Sequence, residues 1–219
     1  MADNWSATDN YLTDVLIGDD PALSSALEAN AAAELPPIDV SAPQGKFLHL
    51  LARIRGARRV LEIGTLGGYS TIWLARAVGE SGRVVTLEYE RKHAEVARAN
   101  LDRAGVGDRV DIRVGPALDS LPGLVDEDPF DLVFIDADKE NNSNYVRAAL
   151  GLSRPGTVIV VDNVVRAGAI VDQGSDDERV RASRDVLELL AREPRLDATA
   201  LQTVGSKGWD GFALAVVTG

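Results

Sequence analysis

The sequence predicts an α/β fold: a doubly wound, mostly parallel sheet of seven strands behind a helical lead-in, with one strand reversed near the edge. Three observations predict it. Short β-branched runs alternate with amphipathic stretches from Arg59 onward, as right-handed βαβ units require. The residues just after those runs are glycine-rich or acidic, and open parallel sheets bind ligands at that edge. The last two runs are joined by one short turn, too short for a crossover, which makes that pair antiparallel.

The elements follow in order. Tyr11, Leu12, Val15 and Leu16 recur at helical spacing, and Asp20-Pro21 reads as a cap and first-turn proline opening a helix over residues 22–33. Leu35-Pro36-Pro37 breaks it. Pro43 opens the next helix, in which Phe47, Leu48, Leu51 and Ile54 form an apolar stripe expected in the core. Strands are predicted at 60–63, 84–87, 110–114, 132–135 and 158–161, the last following an Arg154-Pro155-Gly156 turn. Helices are predicted at 70–78, 91–104, 118–121 and 141–150 between them. A helix at 179–191 carries Val180, Val186, Leu187 and Leu190 on one face, and strands at 198–204 and 211–217 flank a turn over residues 205–210.

The 219 residues fit one domain, with 1–57 as lead-in and 58–219 as the α/β core. Hydrophobic residues at 45% and charged residues at 26% leave ample surface to bury a core. No cysteine is present, which excludes disulfides, thiolate metal sites and cysteine nucleophiles. Asp3, Asp9 and Asp14 stand where a secretory leader would be basic, and no apolar run approaches about 18 residues. Secretion and membrane spanning are therefore not expected, and the cytoplasm is the expected compartment. A net charge of −11 disfavours a nucleic-acid partner.

Five strand ends carry the chemistry. Gly64-Thr65-Leu66-Gly67-Gly68 turns the first strand into a helix near Ser70; small residues admit a ligand to the backbone, and the helix N-terminus offers N–H groups to a carboxylate or a phosphate. Glu88 ends the second strand 24 positions later, near the offset at which an acid accepts ribose hydroxyls. Gly115-Pro116-Ala117-Leu118 could border an adenine ring. Asp136-Ala137-Asp138-Lys139 and Asp162-Asn163 follow two strands expected to be neighbours, which gathers Asp136, Asp162 and Asn163 as hard oxygen ligands suited to Mg²⁺ or another divalent cation. Lys139 beside such a cation would reach a substrate hydroxyl as a base. His49 and His93 lie within helices and read as structural or surface residues, and Trp209 reads as a packing residue.

These motifs resemble the cation-dependent class I S-adenosylmethionine O-methyltransferases, the catechol and caffeoyl-CoA O-methyltransferases and their bacterial branch. Glu62-Ile63-Gly64 with Gly68-Tyr69-Ser70, Phe134 to Lys139, and Val161-Asp162-Asn163-Val164 carry the resemblance, which runs from Tyr11 to Val217. It implies a Rossmann-like methyltransferase fold with the last strand inserted antiparallel, and a homodimer. Asp136, Asp162 and Asn163 would hold the metal, and Lys139 would be the catalytic base. Val40, Glu62, Gly64, Thr65 and Ser70 would hold the methionine part of S-adenosylmethionine, Glu88 the ribose and Ala117 the adenine. Asp138 would lie near the cofactor amine, and Asp136 would meet the cofactor as well as the metal. The implied reaction moves a methyl group to a hydroxyl of a small catechol or other phenol. Arg166-Ala167 stands where the plant caffeoyl-CoA enzymes carry Trp-Asn, which disfavours a plant thioester as acceptor.

Other functions stay open on these residues. A methyltransferase of hydroxylated uridine in tRNA would share both sites, although the charge opposes it. A nicotinamide-dependent reductase or a non-catalytic nucleotide-binding module would use the same glycine turn, but the third glycine is missing and the paired acids would be idle.

Overall fold

The computed structural model describes residues 2–219, with side chains from Asn4 onward. Three helices lead in: α1 (Ala2–Leu16), α2 (Pro21–Ala32) and α3 (Ala42–Arg55). The alternating part follows as β1 (Arg59–Ile63), α4 (Tyr69–Val78), β2 (Arg83–Glu88), α5 (Arg91–Arg103), β3 (Val110–Val114), α6 (Ala117–Ser120), β4 (Phe130–Ile135), α7 (Asn142–Gly151) and β5 (Ser153–Asp162). Then come α8 (Glu178–Arg192), β6 (Leu196–Gly205) and β7 (Gly208–Val217). One sheet contains all seven strands in the order β3-β2-β1-β4-β5-β7-β6, so winding reverses between β1 and β4. β7 lies antiparallel between β5 and β6.

Period-two alternation sends the central strands' residues to two cores, one on each face of the sheet. Val60, Val84, Leu132, Phe134 and Val160 meet Leu48 of α3, Ile72 and Leu74 of α4, and Leu101 of α5. Leu61, Ile63, Val133, Ile135, Ile159 and Val161 meet Val146 and Ala149 of α7 and Val186 and Leu190 of α8 on the other face. The lead-in is anchored at Asp20, whose carboxylate caps α2 by accepting from Ala22 N and Leu23 N. The same group pairs with Arg76 of α4 at 2.6 Å, and that guanidinium holds its carboxyl below the usual range.

Several boundaries and burials differ from the sequence-based expectation. Residues 154–156 belong to β5 rather than to a turn before it. There the pairing with β4 shifts register, and Thr157 Oγ1 bridges by donating to Phe130 O while accepting from Arg154 N. The final hairpin is tighter than expected, because Gly205 pairs with Gly208 across Ser206-Lys207 alone and Trp209 and Asp210 lie within β7. In α3 Leu48 is buried, but Ile54 is 83% exposed. Tyr11, Leu12, Val15 and Leu16 are likewise exposed. Among the described residues no helix is long and apolar enough to cross a membrane.

Candidate active site

Where β1 ends, Gly64 has φ of +100° and Gly68 has φ of +83°, and α4 starts immediately afterwards. A Cβ on Gly64 would lie 2.1 Å from Asp136 O, so glycine is what lets β1 and β4 end side by side. Beyond this edge lies a cavity of about 990 Å³, lined from Pro37 in the lead-in to Lys207 in the last hairpin. Val40, Gly64, Thr65, Ser70, Glu88, Ala117, Asp136, Asp138, Lys139, Asp162 and Asn163 all line it. Of the residues assigned from the sequence to cofactor, metal or catalysis, Glu62 alone does not.

Glu62 lies fully buried on the α4 side of β1, beneath the turn. Ser70 Oγ donates to its Oε1 at 2.6 Å, while the hydroxyls of Thr71 and Thr86 donate to Oε2. Thr65 Oγ1 extends the chain at 2.6 Å from Thr86 Oγ1. Glu62 thus aims two cavity-lining hydroxyls without touching the cavity. Burial pushes its carboxyl up to about 7 against the pull of the hydroxyls, and the charge of Asp136 adds to the push. The folded chain therefore keeps the Glu62 proton to higher pH than the unfolded chain, where the carboxyl titrates near 4.5. That contribution to stability is full below pH 4.5 and is lost as pH rises through about 7, about 3 kcal/mol at most. Glu62→Gln is expected to flatten this slope, so urea midpoints from about pH 5 to about pH 8 should fall less in the variant than in wild type. Parallel curves for the two proteins would contradict the buried, protonated glutamate.

Glu88 fastens the first turn to the second strand. Its Oε2 accepts from Thr65 N at 3.0 Å and Leu66 N at 2.8 Å, and its Oε1 accepts from Glu90 N at 3.0 Å. His93 Nδ1 stands 3.1 Å from the same Oε1. His93, which sequence reasoning left aside, therefore lines the cavity, one turn into α5 and facing back to the strand it follows. His49 is structural as expected, with Nδ1 3.1 Å from Trp73 O.

A further tie was invisible in the sequence. Asn100 Nδ2 donates to Gly67 O at 2.9 Å and to Asn30 Oδ1 at 3.0 Å, and Asn30 Nδ2 donates to Asp39 Oδ1 at 2.8 Å. The glycine turn, the lead-in and the cavity wall at Asp39 are thus one buried polar network.

At the other end, Ile135 pairs with Val161, so Asp136 and Asp162 emerge one residue later from adjacent strands, which are spaced about 4.8 Å apart. Asp162 Oδ2 accepts from Gln44 Nε2 at 2.6 Å and Oδ1 accepts from Asn163 N at 2.8 Å. Burial pushes its carboxyl up to about 7, the charge of Asp136 adding to the push and Lys139 opposing it. Lys139 Nζ donates to Asp136 Oδ1 at 2.7 Å. Tyr145 donates its hydroxyl to Asp138, and burial together with that carboxylate raises the phenol above its ordinary range. Asn163 holds φ of +61°, and its amide side chain bonds to no described residue. Two acids short of positive charge and one open amide oxygen make a donor set that fits a divalent cation. Among the described residues no three His, Cys, Asp or Glu side chains converge, so the set depends on that amide.

The cavity thus runs from a glycine-turn end to an acidic end, and comparison with known proteins gives the family. A family profile described as O-methyltransferase matches residues 15–216. The chain belongs to the O-methyltransferase family. Catechol O-methyltransferase of Mycobacterium tuberculosis is 66% identical over 209 residues, 95% of this chain and 94% of that one. A crystal structure of an O-methyltransferase from Bacillus cereus in complex with SAH superimposes with a TM-score of 0.97 at 60% identity, covering 100% of both chains. An O-methyltransferase of tomaymycin synthesis from Streptomyces achromogenes, in complex with SAM, gives a TM-score of 0.96 at 52% identity over 100% of this chain and 99% of that one. This chain is therefore an S-adenosylmethionine-dependent O-methyltransferase with a Rossmann-like fold.

Proposed function

We propose that this methyltransferase acts on a hydroxyl of a small catechol-type phenol and that it requires Mg²⁺ or a similar divalent cation. The observation that carries the reading is the pairing of Asp136 and Asp162 at adjacent strand ends, with the free amide of Asn163 beside them, all facing the cavity. The catechol O-methyltransferase of Mycobacterium tuberculosis, 66% identical, supports the acceptor class.

The roles follow from position. Val40, Gly64, Thr65 and Ser70 enclose the methionine part of the donor, with the N-terminus of α4 toward its carboxylate. Glu62 holds Ser70 in place rather than meeting the donor. Glu88 takes the ribose hydroxyls, Ala117 borders the adenine, and Asp136 and Asp138 lie toward the amine. Asp136, Asp162 and Asn163 would hold the cation, which would supply Lewis acidity favouring the ionised phenol. Lys139, whose Nζ rests on Asp136 Oδ1, is the base we assign to the phenolic proton, which it can take only as the neutral amine once the cation replaces it on Asp136. Neither histidine reaches the acidic end, His49 being spent on Trp73 O and His93 on Glu88. Gln44 keeps Asp162 aimed by donating to its Oδ2. With the oxygen in line behind the methyl carbon, its lone pair forms the new C–O bond as the S–C bond breaks, leaving S-adenosylhomocysteine.

The exposed Tyr11, Leu12, Val15 and Leu16 of α1 and Ile54 of α3 form the face by which the enzyme pairs with a second copy, which sedimentation would report as twice the chain mass. The functional test is methyl transfer to a panel of catechols and simple phenols, with and without chelator. Turnover of catechols that collapses in excess EDTA and returns with Mg²⁺ is expected. Full turnover in EDTA would refute the cation, and transfer to simple phenols alone would refute the catechol.

A further inference from the structure

We propose that Arg166 selects the acceptor by binding a carboxylate carried on a short arm of the phenolic ring, a reading that rests on the catechol acceptor proposed above. Arg166 lies three residues beyond Asn163, on a turn that the rest of the chain forces into shape. Asn163, Arg166 and Ala167 have φ of +61°, +54° and +52°, conformations that side-chain-bearing residues rarely adopt. Asp210 of β7 imposes them: its Oδ1 accepts from Val165 N at 3.0 Å and from Arg166 N at 2.9 Å. Trp209 closes the turn from the side, its ring so near that a Cβ on Gly168 would lie 2.5 Å from it.

What this strain holds in place is a guanidinium at the cavity wall. The Arg166 side chain is only 22% exposed, yet it makes no hydrogen bond to any described residue, and its paired carboxylate, Asp210 Oδ2, stands at 3.9 Å. That distance is beyond a hydrogen bond. The other cations of the cavity are engaged: Lys139 on Asp136, Arg179 on Asp177 and Lys207 on Pro37 O. Arg166 alone among them presents a planar fork of open donors, which matches a carboxylate two bonds at a time.

Electrostatics makes such a group decisive. The chain carries a net charge of −11, a long-range field that disfavours an anionic acceptor. A local positive charge at the cavity wall offsets it by receiving the arm of an acidic catechol. The short chain distance from Asn163 to Arg166 keeps that arm short, so the acceptor is an aromatic acid rather than a large conjugate.

The test compares kcat/KM for homoprotocatechuate, whose carboxylate is insulated from the ring by a methylene, with 4-ethylcatechol and dopamine, using S-adenosylmethionine and excess Mg²⁺. Wild type is expected to prefer the acid. Arg166→Gln is expected to lower the acid-to-neutral ratio by about 10- to 100-fold, mostly through KM, as loss of a charge-assisted pair of hydrogen bonds implies. Arg166→Lys should restore part of the ratio, and Arg166→Glu should favour dopamine. An acid-to-neutral ratio near one in wild type, or an equal loss on all three acceptors in Arg166→Gln, would overturn the assignment while leaving the catechol reading intact. Absence of turnover on every catechol would remove both.

Discussion

Asp162→Ala is expected to lower methyl transfer to catechols by about a thousandfold while the protein stays folded and still responds to S-adenosylmethionine. The size follows from losing one of three oxygen donors to the proposed cation, an interaction worth several kcal/mol to the reacting oxygen, at 1.36 kcal/mol per tenfold. The preserved fold follows from the electrostatics. Asp162 is buried, its carboxyl stands at about 7, and the charge of Asp136 presses on it. Removing it relieves a cost, so unfolding midpoints should stay level or rise. The donor side should be untouched, since Gly64, Thr65, Ser70 and Glu88 are supplied by β1, α4 and β2. Kinetics, thermal unfolding, and the thermal shift given by S-adenosylmethionine together make the check. Activity within tenfold of wild type would remove Asp162 from the reacting end.

Gly64→Ala should be the most damaging small substitution on the donor side. Its Cβ would lie 2.1 Å from Asp136 O and 2.7 Å from Asp136 C, both backbone atoms of the strand end beside it. Neither can rotate away. Gly64 N is also held on Leu87 O at 2.9 Å and Asp136 N on Ile63 O at 2.8 Å, so relief requires parting β1 from its neighbours. A loss above about 4 kcal/mol, or failure to fold, is expected. Gly56→Ala is the control: it has φ of +66° at the end of α3 with nothing within 4 Å of the new Cβ, and it should cost only about 1 kcal/mol. Equal unfolding midpoints for the two variants would show that the Gly64 contact yields.

Both substitutions fall on residues that the sequence already pointed to, and the reason is physical. A parallel sheet binds at one edge, so residues that follow a β-branched run, such as Asp136 and Asp162, announce themselves by position alone. The central strands were equally legible, because β1, β2, β4 and the second half of β5 are buried on both faces and their runs are largely apolar. What escaped depends on where two distant segments meet. Gln44 reaches Asp162 across 118 residues, and Asn100 reaches Asn30 across 70. That His93 also borders the cavity was not legible, because helical periodicity does not say that the first turn of α5 folds back over Glu88. Glu62 has a motif position but a hidden face, since alternation along β1 sends it under the turn rather than into the cavity. Ile54 continued a regular stripe yet stays exposed, because what covers a helix face lies outside the helix's own pattern.

The placement of β7 has a consequence for how the enzyme comes into being on the ribosome. β7 is synthesised after every other described element, yet it sits between β5 and β6, and its Phe212 is the partner of Asp162. Asp210 on the same strand sets the turn that carries Arg166. A nascent chain that has not yet emitted Gly208 therefore has a donor-binding turn with all its strands but an acceptor side without its frame, and β6 has no neighbour to pair with. β7 meets β6 locally through their hairpin, but closing the sheet also needs its long-range pairing with β5. A product truncated before the hairpin would therefore lack the frame of the acceptor side.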